Sequence, residues 1–554
     1  MSLKEAMEAG IAHHQANRLN DAEAVFRQIL VQQPNHPDAL YFLGAIAFQR
    51  GKPGAAIDLI NRAVALNPNA PAYHANLGVL LATQNKLPDA INHFRKALAL
   101  KPDYPDAQYN LGTALLQSGQ VDGAVEAFRK AVDIRPNHYD SCISLARALK
   151  KKGAQNEAAE AYEKALVARP DSFDALHNLA VVLHRAARFE EAIAKYESAL
   201  KLKPQDAAVL CNYGTSLQFV GRIDDAIEAF RSSLKLEAHR PIVHGNLGML
   251  LLLKGDFEHG WQEYEWRCQT AEWDRNPARE RFMQLRWDGA ELHGKTILLH
   301  TEQGFGDTIH FIRYASLVAE RGGKVILECS KFLTRLMRTV PGVQQTIARG
   351  EPLPPFDVQC SLLTLPLLFQ TTESTIPRKI PYLSADPRLA AQWKGRIGNE
   401  KRLKVGIAWA GQPEHANDRE RSIGVDALVP FARVPGVRLF SLQKGERSKD
   451  LASAPRELEV TDWTADIKDF ADTAALVENL DLVLTADTAP AHLAGAMGKP
   501  VWVLIPANPD WRWMLNRADS PWYPTMRLFR KPAIGPWAPA IKTAVEALQG
   551  LAKS

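Results

Sequence analysis

One spacing constrains this chain more than any other: its first half repeats itself every 34 residues. Pro34, Pro68, Pro102, Pro136, Pro170 and Pro204 keep that register. So does a column of small residues: Gly10, Gly44, Gly78, Gly112, Ala146, Ala180, Gly214 and Gly248. A second small column runs Ala22, Ala56, Ala90, Ala124, Ala158, Ala192, Ala226 and Gly260. Four residues later stand Phe26, Ile60, Phe94, Phe128, Tyr162, Tyr196, Phe230 and Tyr264. A turn lies between the two small columns, as at Gly119-Gln120 and Gly221-Arg222. Each unit therefore reads as a helical hairpin. Small residues let its two helices approach, and a large apolar residue fills the space beside them. One hairpin cannot bury its apolar face alone, so the units must stack.

This pattern resembles the tetratricopeptide repeat in length and in its A-x3-F spacing. Eight units are counted, ending near Cys268. The resemblance implies an α-α superhelix with a concave surface that takes a protein or peptide. The last unit runs into Trp261, Tyr264 and Trp266, which are expected to pack on whatever follows. Asn76, Asn110, Asn178, Asn212 and Asn246 recur in register, with Ser144 breaking the series. An amide both donates and accepts, so such a row suits an extended peptide backbone. It suits equally a contact between neighbouring repeats.

From Gln269 to Leu292 the period is lost, and Trp273, Trp287 and the charged stretch Arg275 to Arg281 read as a junction. Beyond it strands alternate with helices. Expected strands are Thr296 to His300, Lys324 to Glu328, Phe356 to Cys360, Lys404 to Trp409, Val437 to Leu442, Leu480 to Ala486 and Val501 to Ile505. Apolar runs of that length fit strands buried on both faces of parallel sheets. The expected architecture is a superhelix over 1–268, a junction over 269–293, and two Rossmann-like α/β halves over 294–395 and 396–536. A final helix over 537–554 is expected to return to the first of these halves.

Two turns carry the chemistry. Asp487-Thr488-Ala489-Pro490-Ala491-His492 follows an apolar strand and opens a helix. The backbone N–H groups and positive end of such a helix suit a phosphate. Asp487 and Thr488 equally suit plain helix capping. Gly304-Phe305-Gly306-Asp307 forms a similar turn after the first strand of the first half. Ile309 stands where a dinucleotide fingerprint needs its third glycine, although Glu328 falls near the distance for a ribose contact. Asp307 could take a proton from an attacking hydroxyl, or it could cap its helix. Cations for a leaving diphosphate are sought in Asn417 to Ser422, notably Arg421, and at Gln443 and Lys444.

The remaining properties exclude more than they identify. A net charge of +5 over 554 residues gives no case for nucleic acid. The start, with acids and no apolar core, does not read as a signal peptide, and no apolar run spans a bilayer. The five cysteines, Cys142, Cys211, Cys268, Cys329 and Cys360, offer neither zinc spacing nor a disulfide framework, which fits a reducing cytoplasm. No Asp-x-Asp, HExxH or histidine cluster asks for a metal.

Gly306-Asp307-Thr308-Ile309-His310 with Asp487 to Ala494 is similar to the heptosyltransferases of lipopolysaccharide synthesis, which are metal-independent, inverting glycosyltransferases of GT-B fold. That family reads G-D-x-x-H and D-T-G-x-x-H-L-A in the two turns. The resemblance implies Asp307 as general base, with Gly306, Asp487, Thr488, Ala489 and His492 holding the donor, and His310 on the acceptor side. Arg421 falls near the family's phosphate-binding lysine. Ala489 departs from the family, which has glycine there. Repeats followed by such a half also resemble the protein O-linked N-acetylglucosamine transferases, whose asparagine ladder the Asn column is similar to. Together these imply a glycosyltransferase that uses a nucleoside-diphosphate sugar as co-substrate, no cofactor, and a protein or peptide acceptor held by the repeats. A repeat scaffold with an inactive GT-B half and an NAD-type enzyme remain the alternatives.

Overall fold

The computed structural model describes residues 2–270, 284–413, 418–532 and 535–553. The expectations for Trp273, Arg275 to Arg281 and Asn417, and for the side chain of Arg419, fall outside the described residues. The chain forms two compact units, Met1–Ser216 and Leu217–Ser554.

Sixteen α-helices run from Leu3–Gln15 to Phe257–Tyr264 and pair as hairpins. The small column is required by close approach. A Cβ placed on Gly10 would come within 2.6 Å of Phe26, on Gly78 within 2.7 Å of Phe94, and on Gly112 within 2.7 Å of Phe128. Each of those rings is almost wholly buried and belongs to the second helix of the same hairpin. The repeat therefore reproduces one packing contact rather than one sequence.

The second unit opens with the last hairpins and continues into two parallel sheets. The first sheet contains β1 (Leu285–Arg286), β2 (Thr296–His300), β3 (Lys324–Cys329), β4 (Val343–Ala348) and β5 (Val358–Ser361), in the order β1-β5-β2-β3-β4. The second contains β6 (Leu403–Ala408), β7 (Val437–Ser441), β8 (Val460–Thr461), β9 (Leu482–Ala486), β10 (Val501–Ile505) and β11 (Met526–Arg530), in the order β11-β10-β9-β6-β7-β8. Every named ladder in both sheets is parallel. Strand order reverses between β2 and β5 in the first sheet and between β6 and β9 in the second. Ligands of doubly wound sheets bind outside the carboxyl ends of strands at such reversals.

The last hairpin is built into the α/β part. Trp261 is 2% exposed, and its indole Nε1 donates to the Thr371 carbonyl at 2.9 Å. Its ring meets Trp511 edge-on at 5.1 Å, and Phe257 meets Trp522 at 6.2 Å. Trp266 behaves differently from expectation: it stacks on His244 of its own repeat at 3.9 Å.

Two expectations are corrected. The junction is not purely a connector, because β1 lies in it and adds an edge strand beside β5. The final helix, Ala538–Lys553, does not return to the first half. Its apolar stripe of Ala540, Ile541, Ala544 and Leu548 is buried in the core of the second sheet, beside β10 and β11. A stripe spaced in that way satisfies itself on the nearest apolar sheet face, and that face belongs to its own half.

Candidate functional site

The two motif turns meet. Asp307 lies in the helix Phe305–Phe311 behind β2, and His492 in the helix Ala489–Ala496 behind β9. The two helices pack against each other. A Cβ on Gly306 would sit 3.0 Å from Cδ2 of His492 and 3.8 Å from Cα of Ala489. A side chain at 306 would press on the His492 ring, which would have to give way slightly. Ala489, where the resembled family has glycine, has no left-handed backbone and opens its helix without strain.

Asp307 has both the roles weighed for it in geometry. Its Oδ2 accepts from the Gly304 backbone N–H at 3.0 Å, which caps the helix. Its Oδ1 lies 2.5 Å from Nη2 of Arg512. The Asp307 side chain keeps 21% of its exposure, while Arg512 keeps 7%. Burial raises the carboxyl pKa, Arg512 opposes the rise and Asp510 adds to it.

In the helix after Asp487, Thr488 is the N-cap residue, and its side chain makes no capping hydrogen bond to the first N–H groups. The Thr488 hydroxyl turns back to the Ala486 carbonyl at 3.3 Å and to Thr485 at 3.1 Å. Asp487 is 9% exposed. Its pKa is pushed up to about 6 by burial and by Asp510, against the pull of Trp513, Arg421 and Arg512. Asp307 and Asp487 thus answer to the same arginine and the same aspartate.

Of the expected cations, Arg421 reaches the site and the loop after β7 does not. Arg421 acts on Asp487 electrostatically, and Gly411 makes room for it: a Cβ there would lie 2.5 Å from Nη2. The buried Asp418 lies 3.6 Å from its Nε, beyond hydrogen-bond length. Gln443 is corrected from ligand contact to internal brace. It is 4% exposed, and its Oε1 accepts from Trp409 N at 3.0 Å and Ala410 N at 2.9 Å. Its Nε2 donates to Ala410 O at 3.0 Å and Lys444 O at 3.2 Å, so every donor and acceptor is used. Lys444 spends its ammonium on the carbonyls of Thr464, at 2.7 Å, and Ile467, at 3.0 Å.

His310 is corrected as well. It is fully buried, so its ring lies behind the site surface, and its Nδ1 faces the Tyr523 hydroxyl at 3.0 Å. Glu328 is 1% exposed, which removes the ribose contact from the dinucleotide reading. Among the described residues, no group of three His, Cys, Asp or Glu is gathered for a metal.

The asparagines are half-buried and mostly occupied. Asn76 Nδ2 donates to the Tyr41 hydroxyl of the preceding repeat. Asn178 accepts from Lys150 Nζ at 2.9 Å and donates to Asp174 O at 2.8 Å. Asn212 faces His177 Nε2 at 3.3 Å. Asn110 and Asn246 hold the same helix position in their own repeats.

The residue that sequence reasoning missed is Arg512, with its partner Asp510. Arg512 Nη1 donates to both Asp510 oxygens, at 2.9 and 3.0 Å, and its guanidinium lies over the Trp511 ring at 4.4 Å. Its buried Nε has no hydrogen-bond partner among the described residues. The signal was positional: Pro509-Asp510-Trp511-Arg512-Trp513 lies in the loop past the carboxyl end of β10, where these sheets hold ligands.

The tetratricopeptide repeat family profile matches residues 7–71, 76–139 and 143–207. The chain is 31% identical over 332 residues to Protein FlbA of Caulobacter vibrioides, an alignment that takes in 55% of this chain and 54% of FlbA. It thus spans about half the length of that curated relative. Among solved structures it is similar to YrrB, a TPR protein with an unusual peptide-binding site (19% identity, TM-score 0.32, 33% of this chain and 95% of that one). It is similar to the MamA protein (27% identity, TM-score 0.28, 30% and 92%). It is also similar to a chain of Naa15/Naa10 bound to HypK (22% identity, TM-score 0.36, 50% and 44%). The sixteen N-terminal helices are tetratricopeptide repeats, and the C-terminal part is an α/β fold of parallel sheets. Among the described residues no helix is long and apolar enough to cross a membrane.

Proposed function

We propose that the α/β part is a GT-B glycosyltransferase that works without a metal and with inversion. It moves a sugar from a nucleoside-diphosphate sugar to a hydroxyl of a protein or peptide presented by the repeats. One observation carries the reading: the Gly306-Asp307 turn and the Asp487 to His492 turn, about 180 residues apart in sequence, are in contact, with Gly306 against His492. A base and an anion-holding helix end need that proximity. The leaving diphosphate meets the uncapped helix end at Ala489, with Arg421 and Arg512 supplying positive charge. Asp307 takes the proton of the attacking hydroxyl.

The test is a panel of UDP-, ADP- and GDP-sugars, scored for hydrolysis and for thermal stabilisation. Turnover with one nucleotide class supports the reading; tight NAD binding without response to any sugar nucleotide overturns it. A second reading, a repeat scaffold whose α/β half binds without turnover, has one observation in its favour. Both oxygens of Asp307 are already engaged, by Gly304 and Arg512. Stabilisation without turnover, even with peptide supplied, would decide for it.

A further inference from the structure

His310, Tyr523 and His492 form a hydrogen-bonded chain through one phenol. Nδ1 of His310 and Nδ1 of His492 each lie 3.0 Å from the Tyr523 hydroxyl, and Tyr523 is fully buried. The two imidazoles stand 5.4 Å apart at 76°. Burial, with Arg313 and Arg512 nearby, keeps both rings neutral.

A phenol has one proton to give and lone pairs to accept with. It can donate to one Nδ1 only, so the other Nδ1 must carry a hydrogen and donate to the oxygen. The two rings are then opposite tautomers. In the competing arrangement both Nδ1–H groups donate to the oxygen. The phenol proton must then turn to the Tyr382 hydroxyl at 3.5 Å, a contact in which Tyr382 is otherwise placed as the donor. To accept there, Tyr382 must give its own hydrogen to the Ile309 carbonyl at 3.0 Å, while its oxygen already accepts from Arg313 at 3.0 Å. A basic ring nitrogen at 3.0 Å is the better acceptor.

The far nitrogens set the direction. Nε2 of His310 is buried without a hydrogen-bond partner among the described residues. An orphaned buried N–H is rarer and costlier than an orphaned lone pair. His310 therefore carries its proton on Nδ1 and donates to Tyr523. Tyr523 donates to Nδ1 of His492, and His492 carries its proton on Nε2. That atom lies beside Gly306, where a Cβ would come within 3.6 Å of it.

We propose that His310 and Tyr523 are positioning residues that fix His492 as its Nε2–H tautomer, so that it offers a neutral N–H donor to a phosphate oxygen between the two turns. The opposite tautomer would present a lone pair and repel an anion. The ligand rests on the glycosyltransferase reading; the tautomer does not.

Histidine-selective 15N labelling of the full chain tests the relay without any ligand, with the His492→Gln and His310→Gln variants used for assignment. The expected spectrum shows His492 protonated at Nε2 and His310 at Nδ1. Both rings protonated at Nδ1, or the two tautomers reversed, would overturn the proposal. Binding of UDP, ADP and GDP is then measured in Tyr523→Phe, His492→Gln and the double variant. Tyr523→Phe should weaken nucleotide binding roughly tenfold, and should add nothing in the His492→Gln background, where the amide donates independently of the relay. Equal loss in both backgrounds would reduce Tyr523 to packing and sink the proposal. The expected tautomers with no binding of any nucleoside diphosphate would leave the relay standing and remove the glycosyltransferase reading instead.

Discussion

Arg512 holds Asp307 through Nη2 at 2.5 Å and grips Asp510 with its other arm at 2.9 Å, so one buried guanidinium joins the carboxylates of two separate loops. The loops belong to different sheets. The Asp307 loop follows β2 and the Asp510 loop follows β10. The proposed base is therefore set by a residue from the other half, and its basicity depends on the two halves staying together.

Replacing Asp307 by Ala should lower transfer by at least about 100-fold, the usual contribution of a general base. Donor binding should survive nearly intact, because the anion-holding helix end lies on the other turn. Isothermal titration of the donor beside initial-rate measurement separates the two. Lost donor binding would count against a base role.

Arg512 stabilises the ionised form of Asp307. Replacing it by Met removes that charge, so the Asp307 pKa should climb further. The acid limb of the pH profile of kcat/KM should then move to higher pH, while Arg512→Lys should shift it less. An unmoved acid limb would show that Asp307 does not titrate in the rate.

Asp487 titrates near pH 6 in the folded chain, above its ordinary value of 3.8. The folded state therefore binds the proton more tightly than the unfolded state. Stability should be fully present below about pH 4 and should fall as pH rises through about 6, then stay level. The Asp487→Asn variant removes a buried charge repelled by Asp510. It should melt a few degrees higher than the parent at neutral pH, with a flatter pH dependence. Donor binding should be lost in the same variant. A melting temperature that drops at neutral pH would mean that the charge stabilises the fold.

Replacing Asn110, Asn178 and Asn212 together by Ala should raise the KM for a protein acceptor roughly tenfold. Donor hydrolysis should stay unchanged. Since Asn178 and Asn212 already bond Lys150 and His177, a fall in stability with an unchanged acceptor KM would assign the column to contacts between repeats.

What could be read in advance follows from how each feature is encoded. The hairpins were legible because Gly10 against Phe26 and Gly112 against Phe128 restate one contact, and a restated contact leaves a period. β9 and β10 were legible because every residue in them is buried, so they appear as unbroken apolar runs. β4 was not: its middle residues Gln344 and Gln345 are exposed at the sheet edge, which breaks the run. Within the site, the two turns announced themselves by glycine and cap residues at fixed offsets. Arg512 and Tyr523 had no such spacing, because their partners Asp307 and His310 are brought to them only by the packing of one half on the other. Gln443 was misassigned for a related reason. Its position at the end of β7 suits a ligand contact, and only the fold shows that the Trp409-Ala410 backbone takes all of its hydrogen bonds.

The last repeat should be inseparable from the α/β part. Arg267, just past the final helix, donates from Nε and Nη2 to the Glu302 carboxylate at 3.1 and 2.8 Å, and the two side chains keep only 10% and 4% of their exposure. Glu302 lies two residues before Gly304, in the loop that carries Asp307. Next to it, Gln303 donates to the Tyr264 hydroxyl at 3.4 Å. Removing one partner of a buried pair leaves a charge without compensation, which costs about 3–5 kcal/mol. Arg267→Ala should therefore lower the melting temperature and reduce transfer by displacing the Asp307 loop. Glu302→Gln should do less harm to stability, since the amide oxygen can still accept one bond. The same logic applies to truncation. A shortened chain that begins near Lys295 bares the faces of Trp511 and Trp522 that Trp261 and Phe257 cover, and should aggregate. One that begins near Leu217 keeps those contacts and should remain monodisperse. Size-exclusion chromatography with circular dichroism distinguishes the two outcomes. A well-folded product from the shorter chain would show that the last repeat is only appended.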